Sequence, residues 1–178
     1  MKKSIICFRR TGILIIALQF VCQFCSAQNI TNAAADTSAL IALNGYTQQY
    51  FYSKVFKERA KSIAEFMEQA GSYFQKEIKF TPKIILYILA PEDWKSFAAK
   101  PLRDVYGFPH NIDGGHLAIA AADNDFWKSY LPVVDQLPIS LVQAVKKAYG
   151  KPDGTYSMMP FFDLLALHEM GHSYTAQA

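Results

Sequence analysis

Five residues near the C-terminus, His168-Glu169-Met170-Gly171-His172, set two imidazoles four positions apart with a carboxylate beside the first. On a helix, residues i and i+4 share a face about one turn apart. Both imidazoles then reach one cation, and Zn2+ suits that donor set. The metal would lower the pKa of a water and polarise a carbonyl, and Glu169 would take that water's proton. By chance the pattern arises in about 0.4% of random chains of this length. The setting points the same way. No Pro interrupts the motif, and Ala166, Met170, Gly171 and Ser173 are uncharged, as a buried metal-binding helix requires. Two ordinary histidines at helical spacing, with Glu169 merely solvated, is the weaker account, because a charge on so apolar a helix is costly without a partner.

The elements that must position the motif follow from patterning. A helix is predicted from Pro160 to about Ala176, with Pro in its first turn. Phe161, Phe162, Leu164, Leu165 and Leu167 cover nearly all its sides, so it should be buried. Upstream, helical periodicity is read from Tyr46 to about Ile78, carried by Ile63, Met67, Ala70, Phe74 and Ile78, and Thr81-Pro82 stops it. Lys83 to Leu89 and Gly114 to Ala121 read as strands. Ala90–Ala99, Asn124–Tyr130 and Pro138–Tyr149 read as shorter helices, and residues 107–111 as loop. Helices and strands alternate loosely, which gives an α+β (mixed α/β) domain.

The N-terminus reads differently from the rest. Lys2, Lys3, Arg9 and Arg10 precede an apolar run from Gly12 to Phe24, and Cys25-Ser26-Ala27 supplies small residues for cleavage. This is a secretory signal over 1–27, too short to be a membrane span, with an uncleaved anchor as the alternative. Residues 28–44, rich in Ala, Asn and Thr, are expected to be a linker. The chain carries 18 basic and 15 acidic residues, and four of the basic ones lie in 1–27, so residues 28–178 hold 14 against 15, a net charge of −1. That removes the compositional support for nucleic-acid binding. Cys7, Cys22 and Cys25 are the only cysteines, so the mature chain is neither a cysteine hydrolase nor a disulfide scaffold. Export to the periplasm or beyond, with no stable membrane span after cleavage, is the expectation.

With the motif and its neighbours in place, residues 45–178 resemble the N-terminal half of a zincin metallopeptidase, and the motif looks most like the gluzincin branch. A metzincin would continue with Gly and a third His where Thr175 and Ala178 stand. The order of long helix, KIILYIL strand, GGHLAIAA strand and motif helix is also similar to a zincin's. The resemblance implies a small sheet beneath a buried HExxH helix, Zn2+ held by His168 and His172, and Glu169 as general base in hydrolysis of a peptide or protein substrate. It further implies that Gly115 to Ala120 (Gly115, His116, Ala118 and Ala120) form the edge strand that pairs with an extended peptide.

The sequence departs from that family in one respect. A gluzincin takes its third ligand, a Glu, from a helix well downstream, whereas no acidic residue follows His172 before the chain ends at Ala178. The C-terminal part of the domain is therefore expected to be missing, and the chain as written to be a poor peptidase or none at all. Two classes stay open: an exported zinc-dependent metallopeptidase, or the N-terminal fragment of one, and a non-catalytic exported protein or binding module that keeps a degenerate zincin helix. His110 and His116 are candidate ligands or ordinary structural histidines. Asp163 reads as a charge near the helix N-terminus. Tyr174 is either an oxyanion donor or a packing residue. Tyr46, Tyr50, Phe51 and Tyr52 suit either a ligand platform or, better, packing.

Overall fold

Strand residues alternate between the two faces of a sheet, so register decides which side chains meet which helices. In a computed structural model, which describes residues 37–129, 131 and 134–178, five strands form one mixed sheet in the order β1-β2-β3-β5-β4. They are β1 (Ile41–Leu43), β2 (Gln49–Tyr52), β3 (Ile85–Leu89), β4 (His110–Asn111) and β5 (His116–Ala120). The three central strands run parallel, and β1 and β4 are antiparallel at the two edges. Five helices accompany them among the described residues: α1 (Lys57–Ile78), α2 (Pro91–Phe97), α3 (Asp125–Lys128), α4 (Ile139–Tyr149) and α5 (Met159–Gln177). The class is α+β. The expected signal segment 1–27 lies outside the described residues. Among the described residues, no helix is long and apolar enough to cross a membrane.

Across the register, Tyr50, Leu86, Leu117 and Asn111 form one row. The row faces α1 and α5, because the Tyr50 hydroxyl donates to Glu68 of α1 and the Asn111 side chain donates to α5. Phe51, Tyr87, Ala118 and His110 form the neighbouring row on the other face. There Tyr87 meets Phe97 and His110 meets Trp94, both of α2. Leu86, Ile88, Leu117 and Ile119 are almost fully buried between the layers. Each such side chain contributes about 1.5–3 kcal/mol relative to exposure.

Three expectations about the elements need correction. The first long helix begins at Lys57, not Tyr46. Gln49–Tyr52 is a strand instead, with Tyr50 and Tyr52 buried on one face, because aromatic residues suit a pleated surface as well as a helical one. Within α1, Ala60, Ile63, Ala64 and Met67 are buried at helical spacing. The helix ends where Lys79 adopts the left-handed conformation and donates its N–H to the Gln75 carbonyl. The expected linker is also structured at its end, where Ile41–Leu43 forms β1 against β2.

The third correction concerns α5. Phe162, Ala166, Met170, Ser173 and Tyr174 are buried, and Phe162 stacks on Trp127 with ring centroids 4.6 Å apart. Leu164, however, is 58% exposed, and His168 is exposed with it. The helix is buried on one side only, because sheet and α1 cover a single face. It is held at both ends. Asp163, read from sequence as a helix-terminal charge, instead makes a two-pronged ion pair with Arg59 of α1, one arm at 2.9 Å. Gln177 donates to the carbonyls of Lys83 and Gly114 and accepts the Lys83 N–H. Gly114, at φ 84°, lets the β4–β5 turn approach that end, where a Cβ would lie 2.9 Å from the Ala176 methyl.

Candidate metal centre

The two imidazoles of α5 come together as the spacing requires. The Nε2 atoms of His168 and His172 lie 3.2 Å apart, and the rings stand perpendicular with centroids 4.8 Å apart. Two zinc–nitrogen bonds of about 2.05 Å at a tetrahedral angle would separate their nitrogens by about 3.3 Å. The donor atoms of His168, Glu169 and His172 all lie within 4.8 Å of one another, and no other such group of three His, Cys, Asp or Glu residues occurs among the described residues. Burial, then the neighbouring His168, hold the His172 imidazole below its usual pKa. It therefore stays neutral and keeps the lone pair a metal needs.

Glu169 points from the helix toward the sheet edge. Burial pushes its carboxyl up to about 7, against the backbone N–H of Asn111, which pulls it back. That N–H donates to Oε2 at 2.9 Å. A carboxyl poised near neutrality can both take and return a proton, and a cation beside it would lower its pKa.

The strand expected to receive substrate is not at the edge. β5 is paired on both sides, to β3 and to β4, and Ala118 and Ala120 are buried. His116, Ala118 and Ala120 also belong to the row that faces away from α5. His116, Ala118 and Ala120 therefore point away from His168 and His172, and Gly115, just before the strand, lies beside Gln177 at the C-terminal end of α5. The strand at that edge is β4, His110–Asn111, which reads as loop in the sequence because it is only two residues long. The available signal was the Asp113-Gly114 pair between two extended runs, a hairpin turn dipeptide.

The remaining candidates resolve as structural groups. His110 is buried on the α2 side, its Nε2 accepting the Ala99 N–H at 2.9 Å and its Nδ1 bonded to the Phe108 carbonyl at 2.7 Å. With Nε2 an acceptor, Nδ1 carries the proton, and burial lowers the ring's pKa. His116 places Nδ1 2.7 Å from Asp113 and stacks on Tyr87, on the opposite sheet face from Glu169. Neither histidine can join His168 and His172. Tyr174 packs edge-on against Phe74 and Phe80. Tyr50 and Tyr52 are core residues.

The residue that sequence reasoning missed is Asn111. Its Nδ2 donates to the Glu169 carbonyl at 3.1 Å and to the Ser173 hydroxyl at 3.0 Å. In comparison with known proteins, the chain matches no family model, no curated protein and no solved structure.

Proposed function

We propose that this chain is an exported zinc-dependent metallopeptidase or the N-terminal part of one. The observation that carries the reading is the 3.2 Å separation of the two Nε2 atoms, near the span of two tetrahedral zinc ligands, with Glu169 beside them. His168 and His172 would hold Zn2+, which supplies polarisation of the scissile carbonyl and of the attacking water. Glu169 accepts the proton that the water loses as its oxygen adds to the carbonyl carbon. The same carboxyl then delivers that proton to the amide nitrogen as the C–N bond breaks, leaving a carboxylic acid and an amine. The substrate is a peptide or protein, and the charge of −1 over residues 28–178 favours no nucleic acid. The tripartite N-terminus supports delivery to the periplasm or the exterior.

A second reading is a non-catalytic exported binding module that keeps the zincin-type helix. It is favoured by the donor set among the described residues, two imidazoles and one carboxylate, in which no third protein ligand for a catalytic zinc stands once Glu169 serves as base. Two measurements separate the readings. Stoichiometric zinc in the purified chain, with cleavage of a mixed peptide library that is lost in Glu169→Gln, supports the peptidase. Zinc without any Glu169-dependent cleavage supports the module, and no zinc affinity at His168 and His172 overturns both.

A further inference from the structure

Asn111 has every polar group of its side chain committed. Its two Nδ2 protons reach the Glu169 carbonyl and the Ser173 hydroxyl, one helical turn apart, and its Oδ1 accepts the Gly114 N–H. Its backbone N–H points the other way from the ladder that joins β4 to β5 and meets the Glu169 carboxylate at 2.9 Å. One residue therefore grips α5 at the main chain of Glu169 and, separately, holds the carboxylate that Glu169 extends. A residue with four commitments inside the fold is not free to bind a substrate.

We propose that Asn111 is the positioning residue for Glu169: the side-chain fork fixes strand to helix, so that the strand's own N–H keeps the carboxylate aimed beside His168 and His172. This rests on the reading of Glu169 as general base. A main-chain donor costs no side-chain ordering, and β4 is anchored by its pairing of His110 with Ala118 and Asn111 with Leu117. Without the fork, the edge strand is only two residues long, and its N–H can drift from the carboxylate. Small errors in the position of a base are expensive in rate.

The test uses the full chain with zinc and four variants: Asn111→Ala, Glu169→Gln, their double variant, and Gln177→Ala as a control. Gln177 ties the same turn to α5 without touching Glu169. Positioning predicts that Asn111→Ala lowers kcat at least tenfold, while KM and zinc affinity change less than threefold. Gln177→Ala should keep kcat within threefold of the parent chain. The double variant should be no slower than Glu169→Gln alone, because Asn111 acts through that carboxylate. Equal losses from Asn111→Ala in the parent and in the Glu169→Gln background, or a matching loss of zinc affinity, would overturn the proposal. A readout without turnover is amide hydrogen exchange at Asn111 in metal-free protein at pH 8. Exchange should be at least tenfold faster in Glu169→Ala than in the parent chain, and unchanged rates there overturn the contact itself. An inert parent chain that retains this exchange coupling overturns the peptidase reading, and the positioning role in catalysis with it, while leaving the contact established.

Discussion

Replacing Glu169 by Gln should make the metal-free protein more stable at alkaline pH and leave it unchanged in acid. The Glu169 carboxyl is raised from 4.5 to about 7 by burial. Between those values the folded chain holds a proton that the unfolded chain has released. The contribution of Glu169 to stability is therefore greatest below about 4.5 and is lost as pH rises through about 7. A shift from 4.5 to about 7, at 1.36 kcal/mol per unit, sets an upper value of about 3 kcal/mol for the burden of ionised Glu169 at pH 8. Solvent access from the open side of the helix trims this to about 2–3 kcal/mol. Gln keeps an oxygen for the Asn111 N–H but carries no charge, so the variant escapes the burden. Urea unfolding of both proteins in excess chelator at pH 4.5, 6 and 8 measures it. The expected result is a stability gain of about 2–3 kcal/mol at pH 8 that shrinks to within about 0.5 kcal/mol at pH 4.5. His110 titrates in both proteins and cancels from the difference. A gain that does not change with pH, or a loss at pH 8, would show that the carboxyl is not held in a low-dielectric site.

Other expectations follow from contacts already described. Asp163→Ala leaves the partly buried Arg59 guanidinium unpaired and should cost about 3 kcal/mol in urea unfolding. His110, whose pKa is lowered from 6.5 by burial, needs a neutral ring to accept the Ala99 N–H, so its contribution is complete above about 6.5 and is lost as pH falls below it. His110→Gln should flatten the stability profile below about pH 6.5. Gly71 lies inside α1 at ordinary helical dihedrals, and a Cβ there meets nothing within 4 Å. Gly71→Ala should therefore raise stability by about 0.5–1 kcal/mol, read as a higher urea midpoint with unchanged slope. Product recovered outside the cytoplasm should begin at Gln28 when sequenced from its N-terminus, and a product that begins at Met1 inside the cell would remove the export reading.

The motif helix and two of the three central strands, β3 and β5, were legible because each carries its own local pattern. The Pro160 start, the apolar stripe and the i, i+4 histidines sit within one segment, and Ile85–Leu89 is a β-branched run bounded by Pro82 and Pro91. What escaped was set by tertiary partners. Gln49–Tyr52 has no periodicity that separates strand from helix, and it becomes a strand because β3 offers a parallel edge. β4 is too short for any period to register, yet it supplies the donor to Glu169. The partnership of Asp163 with Arg59 spans 104 positions and has no local trace. The exposure of Leu164 depends on what the sheet and α1 leave uncovered, which helix periodicity does not encode.

The fixing of α5 at Asp163, at Glu169 with Ser173, and at Gln177 has a consequence in time. Those points span about 21 Å of a straight rod at 1.5 Å per residue. A rod held at three places neither slides nor turns about its axis without breaking several contacts together. Whatever occupies the space between His168 and His172 must therefore enter and leave while the backbone stays still. Only the rings rotate, and such rotamer changes take picoseconds to nanoseconds, against microseconds or longer for displacement of a packed helix. If the proposed zinc reading holds, arrival of the cation would be limited by its diffusion and by the shedding of its own water, and its departure by the strength of its bonds.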